Sequence, residues 1–138
     1  MEFIQLFNEL YNKFMEKYVV SESYMDCFSS MSYKEVSYLS EIHIHQGISL
    51  VALSRKMGVT KSAVSQIVAK LCKKGFVEKR KSDIDKRGAN LFLTDKIEMV
   101  YKENDKTLNK IFEESLSSFS KEEKNALCSL LIKINENL

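Results

Sequence analysis

Two short amphipathic patterns follow one another from Ser49 to Gly75, and a break at Gly58 separates them. The second pattern repeats apolar residues at spacings of three and four, which predicts a helix with one buried face. These residues are Val64, Ile67, Val68 and Leu71. The Thr60 hydroxyl can cap the start of this helix, and Gly75 can end it in the left-handed conformation. Two short helices joined in this way predict a helix-turn-helix.

Polar residues occupy the opposite face of the second helix, at its N-terminal end. They are Lys61, Ser62, Ser65 and Gln66. Their donors and acceptors have the reach to contact base edges and phosphates in a DNA major groove. The same pattern also fits an ordinary amphipathic surface helix, so the flanking segments have to decide between the two interpretations.

Positive charge is concentrated around this helix. From Arg55 to Arg87 the chain has eleven Lys and Arg residues but only three Asp and Glu residues. The remainder has 10 basic and 16 acidic residues, so the overall net charge of +2 conceals a strong segregation. A charge run usually forms a solvated face, but segregation of this size indicates a surface that faces a polyanion.

A change of period after the second helix predicts a β-hairpin. Residues 76–80 form the first expected strand, 81–88 a charged turn, and 90–93 the returning strand. A hairpin directly after a helix-turn-helix makes a winged helix. Such a hairpin can be a plain structural edge, whereas Lys86 and Arg87 at its tip favour contact with phosphates or the minor groove.

The terminal segments carry unusually wide apolar faces. Residues 2–18 and 97–138 both read as helices, and the absence of Pro with only 4 Gly favours a mainly helical chain. The wide faces have to pack on other helices of the chain or on a partner chain. Thr94 is expected to cap the long helix, and Ser120 with Glu123 forms a capping box for the last helix.

The segment before the helix-turn-helix contains one more clear helix. Residues 19–31 have no clear period, so we expect a loop with at most a short helical turn. Ser32 and Glu35 form a capping box, and Gly47 is expected to end the helix that it opens. Ile48 can enter a strand of one or two residues. Inward positions of the helix are Val36, Leu39 and Ile42, with Tyr33 or Tyr38 near the edge.

Composition bounds the class of protein. With 138 residues, of which 44% are hydrophobic, the chain can form one globular domain over 1–138. It has no run of 18 apolar residues and no signal-peptide pattern, so we expect a cytoplasmic protein that does not enter a membrane. The three cysteines, Cys27, Cys72 and Cys128, are widely spaced, which favours reduced thiols over disulfides.

Catalytic and metal-binding patterns are not found in the sequence. His43 and His45 are two positions apart, so on a helix they point to different faces, and we expect no metal site. There is no phosphate-binding loop and no Ser/His/Asp or Cys/His grouping. We therefore expect neither an enzyme nor a bound cofactor.

The chain resembles the MarR family of winged-helix transcriptional regulators over nearly its whole length. The sharpest match is L-C-K-K-G-F-V-E-K-R-K-S-D-I-D-K-R-G-A-N-L-F-L-T, which is similar to the family's L-x-x-x-G-hydrophobic-V-x-R, S-x-x-D-x-R and L-x-L-T patterns. The matching positions are Leu71, Gly75, Val77, Ser82, Asp85, Arg87, Leu91, Leu93 and Thr94. The sequence departs from the family pattern at Lys79, Gly88 and Ile97.

The resemblance implies a mainly α fold with a small β-hairpin wing. Residues 32–94 would form the winged helix-turn-helix, and residues 2–18 and 97–138 the dimerisation helices. A homodimer would place two recognition helices in successive major grooves of pseudo-palindromic double-stranded DNA, about 34 Å apart. The implied function is a sequence-specific transcriptional regulator, a repressor released by a small ligand or an oxidant. The alternative is a winged-helix module for protein interaction without regulated DNA binding.

Carried onto this sequence, the resemblance assigns DNA contact to eight residues. They are Lys61, Ser62, Ser65, Gln66, Lys70, Asp85, Lys86 and Arg87. Gln66 is the strongest candidate for base readout because glutamine can bond adenine through two atoms. Lys70, together with Lys73 and Lys74, is expected to serve phosphates or solvent. Asp85 is expected to orient Arg87 at the minor groove.

The resemblance also implies a small aromatic or lipophilic effector, bound between the dimerisation helices and the DNA-binding lobe. Candidate lining residues are Tyr11, Phe14, Tyr18, Tyr24, Cys27 and Phe28. The alternative is that these are core aromatic residues and a small buried cysteine.

Overall fold

The fold is mainly helical with one small antiparallel sheet. The computed structural model describes residues 2–18, 22–81 and 88–138. Its helices are α1 (Phe3–Lys17), α2 (Glu22–Phe28), α3 (Tyr33–Ile44), α4 (Leu50–Met57), α5 (Lys61–Lys73), α6 (Asp95–Ser115) and α7 (Lys121–Glu136). Its strands are β1 (Ile48–Ser49), β2 (Val77–Lys81) and β3 (Ala89–Leu93). The predicted fold class is confirmed. Within these ranges, no helix has the length and apolar character needed to cross a membrane.

The chain divides into two compact units. Val20–Asn104 is the winged unit, which holds α2 to α5, the sheet and the start of α6. Met1–Val19 and Asp105–Leu138 together are the terminal-helix unit, which holds α1, the end of α6 and α7. The assignment of 1–138 as a single domain stays a prediction.

The sheet forms the wing and closes one side of the winged unit. Its strand order is β1-β3-β2, and both pairings are antiparallel. Val77 pairs with Leu93 and Lys81 with Ala89, while Ile48 of the two-residue strand pairs with Leu91. The hairpin and the short strand are therefore confirmed, with β2 beginning one residue later than predicted. Residues 82–87 of the predicted turn lie outside the described residues.

Helix starts and stops follow the local sequence signals. Hydroxyls that accept a backbone N–H from the first helical turn belong to Ser32, Thr60 and Ser120, as predicted, and also to Ser49 at the start of α4. Gly47 and Gly75 have φ values of +88° and +76°, which side chains other than glycine rarely adopt. Gly75 directly follows Lys74, the C-cap of α5, so this predicted stop is confirmed. Helix α3 instead ends at Ile44 with His45 as its C-cap, and Gly47 lies in the turn before β1.

The core of the winged unit is formed by residues from α3 to α6. The side chains with no more than 1% exposure are Tyr38, Leu39, Ile42, Leu53, Val64, Val68, Leu71, Leu91, Leu93 and Ile97. The apolar face predicted for α5 is confirmed, with Ile67 half-buried at its margin. Of the two tyrosines predicted as candidates for the edge, Tyr33 is exposed, whereas Tyr38 is fully buried because α3 packs against both α4 and β3 and so has two covered sides. Val36, predicted inward, is only half-buried.

The expectation of a loop over 19–31 is only partly correct, because α2 occupies seven of these residues. Phe28 is buried, and Tyr24 and Cys27 are half-buried against the core. The rings of Tyr24 and Phe28, one helical turn apart, have centroids 4.4 Å from each other. A helix this short spans too few turns for its apolar period to be recognised in the sequence.

The terminal-helix unit leaves much apolar surface uncovered in the single chain. On α1 the exposed residues are Phe3, Ile4, Leu6, Phe7, Leu10, Tyr11 and Met15. On α7 and the residues after it they are Leu130, Leu131, Ile132, Ile134 and Leu138. Phe14 and Phe112 make a ring contact at 5.4 Å within this unit. The wide faces predicted from the sequence are therefore largely unpartnered in a monomer.

Candidate nucleic-acid interface

Helix α5 is held in place by a buried face and a fixed entry turn. Val64, Val68 and Leu71 are fully buried. At the N-terminus, the Thr60 hydroxyl accepts the Ala63 N–H at 3.2 Å. Caps and buried faces of this kind fix the axis and rotation of a helix, so its opposite side is presented in a defined orientation.

The predicted contact residues of α5 lie on this presented side. Lys61, Ser62 and Gln66 are exposed, and Ser65 is half-buried. The first turn of a helix also carries partial positive charge from its free N–H groups, which adds to the charge of Lys61. This end of α5 can therefore attract an anion and offer both donors and acceptors to a polar edge.

The basic segment contains cations that have no acidic partner among the residues that the structure describes. Among residues 55–81, all of which are described, Arg55, Lys61, Lys73, Lys79 and Lys81 form no ion pair with a described acid. These side chains are available to a polyanion. Asp85, Lys86 and Arg87, predicted at the wing tip, lie outside the described residues.

The described part of the wing holds one arginine in a fixed orientation. Arg80 of β2 pairs with Glu78 on the same strand. Its guanidinium carbon also lies 4.2 Å from the ring centroid of Phe92 on β3. A cation stacked on an aromatic ring loses little further entropy when it binds a second partner. Sequence patterns contained no sign of this contact, which depends on the register of the hairpin.

Glu35 is the residue of this region whose role the sequence did not reveal. Its Oε2 accepts the Ser32 backbone N–H at 2.9 Å, which is the predicted capping box. Its Oε1 lies 2.9 Å from Lys70 Nζ and 3.2 Å from Lys74 Nζ, both from the end of α5. The Glu35 side chain is only 8% exposed. A capping box identifies Glu35 locally, but a partner 39 residues away leaves no local signal.

The cluster of Ser32, Glu35, Lys70 and Lys74 keeps the Glu35 carboxyl ionised. The hydrogen bond from Lys70, followed by that from the Ser32 backbone N–H, lowers the pKa of Glu35 from 4.5 to about 2. The Lys70 side chain is largely exposed, and its ammonium group lies on the Glu35 carboxylate, which is not. The expected contact of Lys70 with DNA stays a prediction.

The effector candidates are divided between the two units. In the winged unit, the ring centroid of Tyr101 lies 5.5 Å from that of Phe28 and 6.5 Å from that of Tyr24. In the terminal-helix unit, the rings of Phe14 and Tyr18 stack at 5.9 Å. Tyr11 also belongs to that unit and is exposed. Assignment of these residues to an effector site stays a prediction.

A cavity of about 670 Å³ opens in the winged unit between α2 and the start of α6. Its lining residues are Asp26, Cys27, Ser30, Phe76, Lys96, Met99, Val100 and Glu103. Cys27 is the effector candidate that contributes to this lining. The other half-buried cysteine, Cys72, has its thiol pKa raised by burial, an effect that the charge of Lys79 reduces. Groups of three or more His, Cys, Asp or Glu suited to a metal do not occur among the residues described.

Comparison with known proteins agrees with this geometry. A model of the MarR family matches residues 31–88, which include α3, α4, α5 and β2. YybA of Bacillus subtilis, described as an uncharacterized HTH-type transcriptional regulator, is 26% identical over 121 residues, covering 83% of this chain and 81% of that protein.

Solved structures extend the likeness to almost the whole chain. A MarR protein from Peptoclostridium difficile is 35% identical, with a TM-score of 0.50, and the match covers 77% of this chain and 69% of that one. Streptococcus pneumoniae FabT in complex with DNA is 21% identical, with a TM-score of 0.64, and the match covers 98% of this chain and 96% of that one. Identity of 35% over more than two thirds of the Peptoclostridium difficile protein, together with the matching family model, shows that this chain belongs to the MarR family of transcriptional regulators.

Proposed function

We propose that this protein is a transcriptional regulator that binds a specific double-stranded DNA sequence as a homodimer. The observation that carries the proposal is the polar, cationic N-terminal side of α5. It is presented by a capped helix whose opposite face buries Val64, Val68 and Leu71. The presence of DNA in the FabT structure supports it. MarR proteins are transcriptional regulators and not enzymes, which agrees with the expectation from the sequence.

Base readout in this proposal falls to the exposed first two turns of α5. Lys61 and Ser62 meet phosphates or nearby base edges, and Gln66 reads a base through its amide. Ser65, which is half-buried, contributes a shorter contact. Asp85, Lys86 and Arg87 of the predicted wing tip would add contacts to the backbone or the minor groove.

Dimerisation in this proposal covers the apolar side chains of α1 and α7. Phe3 is 74% exposed and Leu10 66%, and an apolar surface of this extent is rare on a monomer. A second copy is the occupant that a symmetric DNA site requires, since two recognition helices then face one duplex.

The proposal also includes repression of transcription that a small ligand or an oxidant relieves. The 670 Å³ cavity has the size of a small-molecule site, and Cys27 at its wall offers a thiol to an oxidant. Release of DNA by a small aromatic or lipophilic ligand, or by oxidation, would follow from a change in the placement of α5.

Selection of bound duplexes from a random pool tests the proposal. We expect an enriched pseudo-palindrome with half-sites about 10 base pairs apart. The logarithm of the association constant should fall linearly with the logarithm of the salt concentration. Repeating the selection with candidate ligands and with peroxide tests release. A monomer that ignores all duplexes at low ionic strength would instead support the protein-interaction alternative.

A further inference from the structure

We propose that Glu35 withholds Lys70 and Lys74 from the DNA backbone and so confines the contact of α5 with DNA to its N-terminal half. Glu35 is in this sense a positioning residue, which acts on the affinity and salt dependence of DNA binding through the two lysines and without touching DNA. The inference rests on the proposed function, and it differs from the sequence-based expectation that Lys70 serves phosphates.

The four residues concerned follow one ridge of α5. Ser62, Gln66, Lys70 and Lys74 are spaced four apart, so consecutive side chains are neighbours on the helix surface. Ser62 and Gln66 begin the ridge and are exposed. Because four residues exceed one turn by about 40°, the ridge winds around the helix and ends in two cations that lie about 80° and 120° from Ser62.

The structure turns both of these cations toward α3. Lys70 Nζ and Lys74 Nζ share one carboxylate oxygen of Glu35, at 2.9 Å and 3.2 Å. The other oxygen accepts the backbone N–H of Ser32 at 2.9 Å and its hydroxyl at 3.2 Å, which orients the carboxylate. The α5 end of the cluster is thus fixed to the start of α3 at a defined point.

Departure of the lysines toward phosphate is unfavourable because of what it leaves behind. Glu35 is 6% exposed with both lysines in place, and a carboxylate that loses them gives up two ion pairs at once. A phosphate offers each lysine one new ion pair in solvent, where such pairs are weak. Glu35 therefore outcompetes the backbone for both ammonium groups.

Removal of these two contacts lowers the affinity for DNA without changing which sequence is preferred. Phosphate contacts from lysine strengthen binding to every sequence alike, whereas base contacts distinguish sequences. Holding two lysines back therefore weakens binding to specific and random DNA by the same factor and makes both less dependent on salt. Base contacts at the N-terminal end of α5 then supply a larger share of the total binding free energy.

The salt dependence of binding to a random-sequence duplex tests this directly. We expect Glu35→Gln to bind random DNA more tightly and to steepen the logarithmic salt slope by up to about 1.8, since each new phosphate contact adds about 0.9. The double substitution Lys70→Gln/Lys74→Gln should leave the wild-type slope unchanged. Added to Glu35→Gln, it should return the slope to the wild-type value. Glu136→Gln, an exposed position on α7 with the same change in charge, is the matched control.

Each contrary result has a separate meaning. A wild-type slope in Glu35→Gln, or a shallower slope in Lys70→Gln/Lys74→Gln, overturns the inference and leaves DNA binding intact. Failure of the wild-type protein to bind any duplex overturns both proposals. Glutamine can also complete a capping box, so we expect Glu35→Gln to fold. If it does not fold, the salt slope of Lys70→Gln/Lys74→Gln tests the inference by itself.

Discussion

The hydroxyl of Thr94 donates a hydrogen bond to the backbone carbonyl of Gly75 at 2.8 Å. The Thr94 N–H donates to the carbonyl of Phe76 at 3.0 Å. The residue after β3 thereby forms two hydrogen bonds with the segment that connects α5 to β2. The threonine of the L-x-L-T pattern thus fixes the base of the wing relative to α5.

Substitution of Thr94 tests this connection. Thr94→Val keeps the shape of the side chain but removes the donor, so we expect the free energy of unfolding to fall by about 1 kcal/mol. Urea denaturation monitored by circular dichroism measures the change. Thr94→Ser keeps the hydroxyl and is the control. Equal losses in the two variants would mean that the hydrogen bond does not contribute.

The Glu35 cluster predicts a pH-dependent part of the stability. The folded-state pKa of about 2 lies below the ordinary value of 4.5, so ionised Glu35 stabilises the folded state. This contribution is fully present above pH 4.5 and declines as the pH falls toward 2. The difference in unfolding free energy between wild type and Glu35→Gln should therefore be largest near neutral pH and shrink in acid.

Denaturant titrations at several pH values between 6 and 3 measure this difference. Glu136→Gln is again the control, because its carboxylate lies exposed on α7. A wild-type advantage over Glu35→Gln that grows as the pH falls would contradict the assignment.

Two glycines with positive φ predict unequal costs for alanine. A Cβ at Gly75 would meet nothing within 4 Å, so Gly75→Ala should cost only the backbone strain of about 1–2 kcal/mol. At Gly47 a Cβ would also lie 3.3 Å from Cζ of Phe92, so Gly47→Ala should cost more. Thermal and urea unfolding compare the two. Gly75→Asn should cost less than Gly75→Ala, because asparagine tolerates the left-handed region better.

Features determined by neighbouring residues were predictable from the sequence. Ser32 and Ser120 cap their helices, and Gly75 ends α5, because each of these effects acts within one helical turn. Contacts between distant segments were not predictable. The burial of Tyr38 depends on two elements that pack around α3, and the pairing of Glu35 with Lys70 depends on where α5 ends relative to α3.

The same division applies to the candidate interface. The polar side of α5 follows from its helical period, so Lys61 and Gln66 could be named from the sequence and are exposed in the structure. Which lysines already have partners could not be deduced, because ion pairing is a property of the assembled unit. The sequence therefore overestimates the number of cations available to DNA.

The exposed apolar face of α7 predicts that a charged side chain introduced there would weaken dimerisation. Leu131 is 55% exposed in the single chain, so Leu131→Glu should leave the helix content unchanged. If α7 lies in a dimer interface, the buried charge should shift the protein toward monomer in sedimentation velocity experiments. Lys124→Glu, an exposed polar position on the same helix, should leave the assembly unchanged. A wild-type protein that sediments as a monomer would remove dimerisation from the proposal.

The last prediction separates base reading from backbone contact. Gln66→Ala should reduce discrimination at one base pair in each half-site, by about 1–3 kcal/mol, because the amide reads an individual base. Arg87→Ala should weaken binding to all sequences and flatten the salt slope by about 0.9 if Arg87 neutralises one phosphate. Affinities for single-base variants of the selected site, measured over a series of salt concentrations, distinguish the two effects. Uniform weakening by Gln66→Ala would exclude it from base readout, and an unchanged salt slope in Arg87→Ala would remove the wing tip from the mechanism.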